Sequence, residues 1–265
     1  MFKSSWAKLD PRKAKMKRLQ RQTFSRSIHS AGLALWMLTC AMSAQAGRPL
    51  SSDDAGTADP GSCQLESWGE KAGSNRALVL APACGIAEGW EIDLDYTHPH
   101  PRDEVRGEAG FAIKWVPKSW GLLTAAGQIN FGLKLGVGYE HPSDTGWRRN
   151  GQGMLGLATL VVNEDFAVHA NLGPQQDRAS GQTATALNLA LVWVPSPMGL
   201  LFAEVLANDR RSLMGGTQRT VGGLWWVTPE KFGLSMTASQ QAGRSQTLWT
   251  LGFGWYGLTA WTPTP

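Results

Sequence analysis

The sequence lacks any apolar stretch able to cross a membrane as a helix. The run Ala31–Met42 is shorter than the roughly 20 residues such a span needs. Helical amphipathicity is missing too: beyond residue 62 no 3.6-residue apolar period persists long enough to define a helix. Cysteine is scarce, three in 265 residues, and Cys40 falls inside the apolar run, so Cys63 and Cys84 are left to form at most one bridge. Basic clusters are absent after residue 46, which removes the Lys/Arg footprint expected of a nucleic-acid binder.

What is present begins with the first 46 residues. Lys13, Lys15, Lys17, Arg18, Arg21 and Arg26 precede Ala31–Met42, and Ala44-Gln45-Ala46 follows. A basic part, a short apolar part and an A-x-A site make a secretory signal peptide, with cleavage expected after Ala46. Of the 25 Lys/Arg and 21 Asp/Glu, nine and one lie in this segment, so the mature chain carries sixteen against twenty and a net charge of −4. Export to an oxidising compartment makes a Cys63–Cys84 disulfide the expected state. Residues 47–61, rich in Ser, Asp, Gly and Pro, read as a flexible periplasmic lead-in, and residues 258–265 as a C-terminal tail.

Between them, residues 62–257 alternate with period two. In Gln128–Glu140, one face holds Ile129, Phe131, Leu133, Leu135, Val137 and Tyr139, the other Gln128, Asn130, Lys134, Glu140 and glycines. Trp90–Tyr96 and Glu108–Trp115 split the same way. About twelve such strands are predicted, one of them spanning 122–140. Short turns join them at one end and longer polar loops at the other, the pattern of an all-β, transmembrane, antiparallel up-and-down β-barrel with both termini periplasmic. Trp90, Trp115, Trp120, Trp193, Trp225, Trp226 and Trp255 fall beside the short turns or the C-terminus, as expected of an interfacial girdle. A soluble sandwich would also alternate, but its strands average about 5–6 residues, whereas membrane strands need about 9–11.

The unit Asn163-Glu164-Asp165-Phe166-Ala167-Val168-His169-Ala170-Asn171-Leu172-Gly173, the strand Phe202-Ala203-Glu204-Val205 and the closing aromatic-glycine strand Trp249–Trp255 resemble the outer-membrane barrel family named for the MetA pathway of phenol degradation. The resemblance implies a transport or pore-like role in the bacterial outer membrane. It carries over no site residue.

His169-x-Asn171 has no neighbouring serine, and no set of nucleophile, base and orienting group is found, so no catalytic residue and no enzyme is expected. His98, His100, Asp103, Glu104 and His141 offer metal-binding residue types without a defining spacing; no metal and no cofactor is expected. The informative polar set faces inward: Glu91, Asp93, Asp95, Glu108, Lys114, Lys134, Asn171 and Glu204 are expected to line the lumen. Such charges imply either a wet channel or a ladder filling the bore, and an acidic channel favours cations or neutral solutes. The expected function is thus a pore for a small solute, with a plugged structural or surface barrel as the alternative. The expected partners are outer-membrane lipid and the barrel-assembly machinery.

Overall fold

The computed structural model describes residues 50–101, 104–178, 180–209, 216–229 and 231–261. The expected signal peptide and its cleavage after Ala46 lie outside the described residues, as do 47–49 of the lead-in, Asp103 and 262–265 of the tail.

The strands are β1 (Ser62–Ala72), β2 (Asn75–Ala87), β3 (Trp90–His100), β4 (Val105–Trp115), β5 (Leu122–Thr124), β6 (Gly127–Pro142) and β7 (Arg148–Val161). They continue with β8 (Phe166–Asp177), β9 (Thr183–Ser196), β10 (Gly199–Asn208), β11 (Gln218–Thr228), β12 (Phe232–Gln241) and β13 (Thr247–Thr259). Neighbours in sequence pair antiparallel except β4 and β5, β1 pairs with β13, and β4 pairs with β6, so the sheet closes on itself. β5 continues the line of β4 along the same edge of β6, which makes twelve staves. Apart from the three-residue β5, every strand is paired on both sides, the condition for a sheet to stand in lipid.

One strand expected over 122–140 is two. Thr124 Oγ1 bonds both Gly127 O, at 2.8 Å, and the Ala126 amide, at 3.2 Å, and Gly127 has φ 133°, a turn that a side chain at Gly127 would strain. The alternation in this region is otherwise as expected. Leu135 is 55% exposed on the outside, whereas Lys114 on the facing stave is 4% exposed inside. Leu94, Leu187, Leu191 and Leu251 extend the outer apolar belt around the barrel. Ala184, Ala186, Ala190, Thr220, Ser235 and Thr237 are buried on the inner face.

Cys63 stands opposite Cys84 in the β1–β2 register, and the two are disulfide-bonded. The short-turn end carries aromatic contacts on the outside: Trp90 stacks on Trp115 at 5.5 Å, Trp115 meets Trp120 at 4.8 Å, and Phe166 stacks on Trp193 at 6.2 Å. Trp226 is the exception to the expected girdle. It pairs with Gly233 on the inner face and packs edge-on against the buried Tyr256, 5.2 Å away, because its even position in β11 turns inward while Trp225 turns out.

Candidate functional site in the bore

The interior is not empty. Residues 50–60 enter the barrel and cross it from the β8–β10 wall to the β2–β3 wall, which corrects the expectation of a flexible lead-in for these residues. Leu50 is buried with Ala167, Ala190, Val192 and Phe202. Glu204 on β10 accepts hydrogen bonds from the Ser51 amide (3.0 Å), the Ser52 amide (2.9 Å) and Ser52 Oγ (3.1 Å). Asn171 on β8 holds Asp53 at two points: its Oδ1 accepts from the Asp53 amide at 2.8 Å and its Nδ2 donates to the Asp53 carbonyl at 2.7 Å. The Ala55 amide donates to Thr159 Oγ1 at 2.8 Å, and Thr159 is bonded in turn to Nδ1 of the buried His169 at 2.9 Å.

On the far wall the Ala58 amide donates to Glu91 Oε2 at 2.6 Å. Pro60 then bridges to Gly85, and the Gly61 amide donates to the Gly85 carbonyl at 2.8 Å. A Cβ on Gly85 would lie 2.2 Å from the Ala58 carbonyl oxygen and 2.4 Å from that of Asp59, so the segment passes where only glycine leaves room.

The charges interlock in both directions. Asp53 and Asp54, carried in by the segment, meet lysines of the wall. Lys134 Nζ is 3.0 Å from Asp53 and 2.8 Å from Asp93; Lys114 Nζ is 2.8 Å from Glu91 and 3.6 Å from Asp54. The carboxylates of the wall, Glu204 and Glu91, instead take backbone N–H groups of the segment. A buried charge costs several kcal/mol unless paired or hydrogen-bonded, and here Lys114, Lys134, Glu91 and Glu204 are each answered by the segment. Asp93 Oδ1 is the one buried side-chain oxygen without a partner among the described residues.

Of the eight residues expected in the lumen, Glu91, Lys114, Lys134, Asn171 and Glu204 touch the segment, and Asp93 reaches it through Lys134. Asp95 and Glu108 do not join them. They sit on the same inward rows nearer the long-loop end, where Glu140 pairs with Arg148 at 2.8 Å. Thr159, Ser51, Ser52, Asp53, Asp54 and Ala58 complete the site and were not expected. The only sequence signal for them was the adjacent acid pair Asp53-Asp54 in a chain whose wall carries two inward lysines. His98 and His141 each pack against aromatic rings, Tyr96 and Trp147 respectively, and no cluster suited to a metal occurs among the described residues.

A twelve-stave up-and-down barrel with an apolar outer belt and a polar bore crossed by its own N-terminal segment has the architecture of a transmembrane β-barrel. The chain belongs to the family described as Uncharacterised conserved protein UCP029691, whose model matches residues 34–254. The narrower resemblance to the MetA-pathway family is not confirmed by that match. No curated protein matches the chain. Among solved structures it is similar to the KdgM porin, with a TM-score of 0.54 and 12% identity over 72% of this chain and 98% of that one. It is also similar to the NanC porin, with a TM-score of 0.53 and 10% identity over 74% of this chain and all of that one. The KdgM porin has also been solved in complex with disordered oligogalacturonate. At these identities the likeness is one of fold.

Proposed function

We propose that the mature chain is an outer-membrane barrel that passes a small solute, with its bore occluded by residues 50–60 in the conformation described. In this reading the chain is exported by a signal peptide cleaved after Ala46 and inserted by the barrel-assembly machinery. The short turns and both termini face the periplasm. The observation that carries the reading is the interior itself, a face of Thr220, Ser235, Thr237, Ser239 and small residues that has no use in a barrel meant only to stand in lipid. Likeness of fold to two porins supports it. Asp95 and Glu108 near the long-loop end favour cations or neutral solutes.

A second reading has an observation of its own. The bonds from Glu204, Asn171, Thr159 and Glu91 to the segment are numerous enough to make it a fixed plug, which leaves a structural barrel. Planar-bilayer recording of the refolded mature chain decides between the two. Reproducible conductance steps, more frequent with Glu204→Ala, are expected. A membrane that stays sealed with both proteins overturns transport and leaves the fixed plug.

A further inference from the structure

Two grooves lie end to end on the outside of the barrel, along β6 to β9. The lower one, about 690 Å³, is floored by Gly156, Ala158 and Ala170 and walled by Phe131, Leu172 and Leu187. The upper one, about 430 Å³, starts on Leu135 and Met154 and rises to Gln152, Gln176, Thr183 and Arg149. The register places them in line. Along β6, Phe131 pairs with Ala158, Leu135 with Met154, Val137 with Gln152 and Tyr139 with Arg149. Across β7 and β8, Ala158 pairs with Ala170 and Gln152 with Gln176. From the short-turn end to the long-loop end this path runs from hydrocarbon to amide to guanidinium. The floor of the lower groove carries nothing longer than a methyl group between walls of leucine and phenylalanine.

The cation at its head is one of several. Lys71 and Arg76 stand opposite each other on the outer face near the long-loop end, and Lys71 also pairs with the exposed Trp249. Arg219 pairs there with the exposed Val205. None of Lys71, Arg76, Arg149 and Arg219 is in an ion pair among the described residues. Glu108 and Glu140 of that end stand opposite each other on the inner face, where Glu140 is paired with Arg148. Several bases on the outer face at this height, in no ion pair among the described residues, suit a surface that meets phosphate.

We infer that the joined grooves bind one phosphate-bearing membrane lipid, with an acyl chain lying along Ala158 and Ala170 and the phosphate held by Arg149. The inference rests on the reading of the chain as a membrane-spanning barrel. A guanidinium binds phosphate by paired, charge-assisted hydrogen bonds, and the apolar floor is what a hydrocarbon chain covers. A second copy of this chain fits less well. A two-fold axis along the membrane normal would set Arg149 against Arg149 and oppose two concave floors, leaving a hollow between them.

The test is native mass spectrometry of the mature chain refolded in detergent micelles, titrated separately with dimyristoyl phosphatidic acid, dimyristoylglycerol and inorganic phosphate. One phosphatidic acid per barrel is expected. Arg149→Gln should weaken it about tenfold or more and leave dimyristoylglycerol unchanged. Ala170→Leu, which faces outward and fills the floor, should abolish binding of both lipids, and inorganic phosphate alone should not bind. Heat-modifiable migration on gels checks that each variant has folded, and Ala158→Leu replaces Ala170→Leu if the latter has not. Phosphatidic acid binding unaffected by either type of change overturns the site, as does a dimer that the floor-filling variant dissociates. If the unaltered chain forms no heat-modifiable barrel, the membrane reading fails, a result separable from loss of the lipid site alone.

Discussion

The two halves of the bore are built from different chemistry. The wall formed by β3, β4, β6, β8 and β10 is charged or amide-bearing, and Glu91, Lys114, Lys134, Asn171 and Glu204 all engage the crossing segment. The wall formed by β11, β12 and β13 carries Leu224, Trp226 and Tyr256 toward the short-turn end and is otherwise hydroxyl and glycine: Thr220 bonds Ser239 at 2.9 Å, Thr237 bonds Thr250, and Gly222, Gly252 and Gly254 fill inward positions among them. On that wall one carboxylate network recurs, where Tyr256 donates to Glu66 of β1 at 2.8 Å. The contrast separates two uses of polarity. Charges need a committed partner and hold the segment in place, whereas hydroxyls satisfy one another and leave a surface that water or a solute can cross at little cost.

The contrast can be broken most sharply at Lys114. Lys114→Met leaves Glu91 and Asp54 buried without their cation, and the loss expected is about 3–5 kcal/mol of barrel stability, measured by urea unfolding in detergent. A loss below about 1 kcal/mol would mean that this wall is wetter than its burial indicates. Glu204→Ala strips the acceptor from the Ser51 and Ser52 amides, at a cost of about 1–3 kcal/mol. Because the barrel itself keeps its staves, this loss should appear as protease cleavage near residue 52 while the barrel stays heat-modifiable. On the hydroxyl wall, Thr237→Val removes one mutual hydrogen bond and should cost about 1 kcal/mol or less, without cleavage of the segment.

A control lies outside both walls, in the exposed Glu88–Lys118 pair beside the short turns, 2.5 Å apart. The Lys118 ammonium, by hydrogen bond and by charge, holds Glu88 below the usual carboxylate range. Any stability the pair adds is therefore present above the unfolded pKa of Glu88 and lost as pH falls through its lower folded value. Lys118→Gln should return Glu88 to the ordinary range, as read from its carboxyl chemical shift, with the segment undisturbed.

The staves were legible because a barrel repeats one rule: each step along a strand changes sides, and the sides differ in solvent. Leu133, Lys134 and Leu135 declare that rule without help from distant residues. The Cys63–Cys84 bond followed from the compartment and from the two cysteines left once Cys40 is set aside. The crossing segment was not legible, because it contributes mainly backbone amides, which every residue has, and small side chains that could never build a core of their own. Ser52 and Ala58 look like linker residues until Glu204 and Glu91, far off in sequence, are brought against them. Trp226 was misplaced for a simpler reason: adjacent tryptophans cannot share a face of a strand, and the sequence alone did not say which of Trp225 and Trp226 turned inward.

The bare backbone at Gly85 bears on how the molecule is put together. The segment leaves the bore past this glycine and becomes β1 within two residues, and β1 is the stave that seals the barrel against β13. The seam between the first and last staves thus belongs to the same stretch of chain that fills the interior. If residues 50–60 are seated late, the seam must close around an unfilled charged wall; if early, they template the wall that receives them. A bulky residue at Gly85 would then act on assembly before it acted on passage, by jamming the point where lining becomes stave.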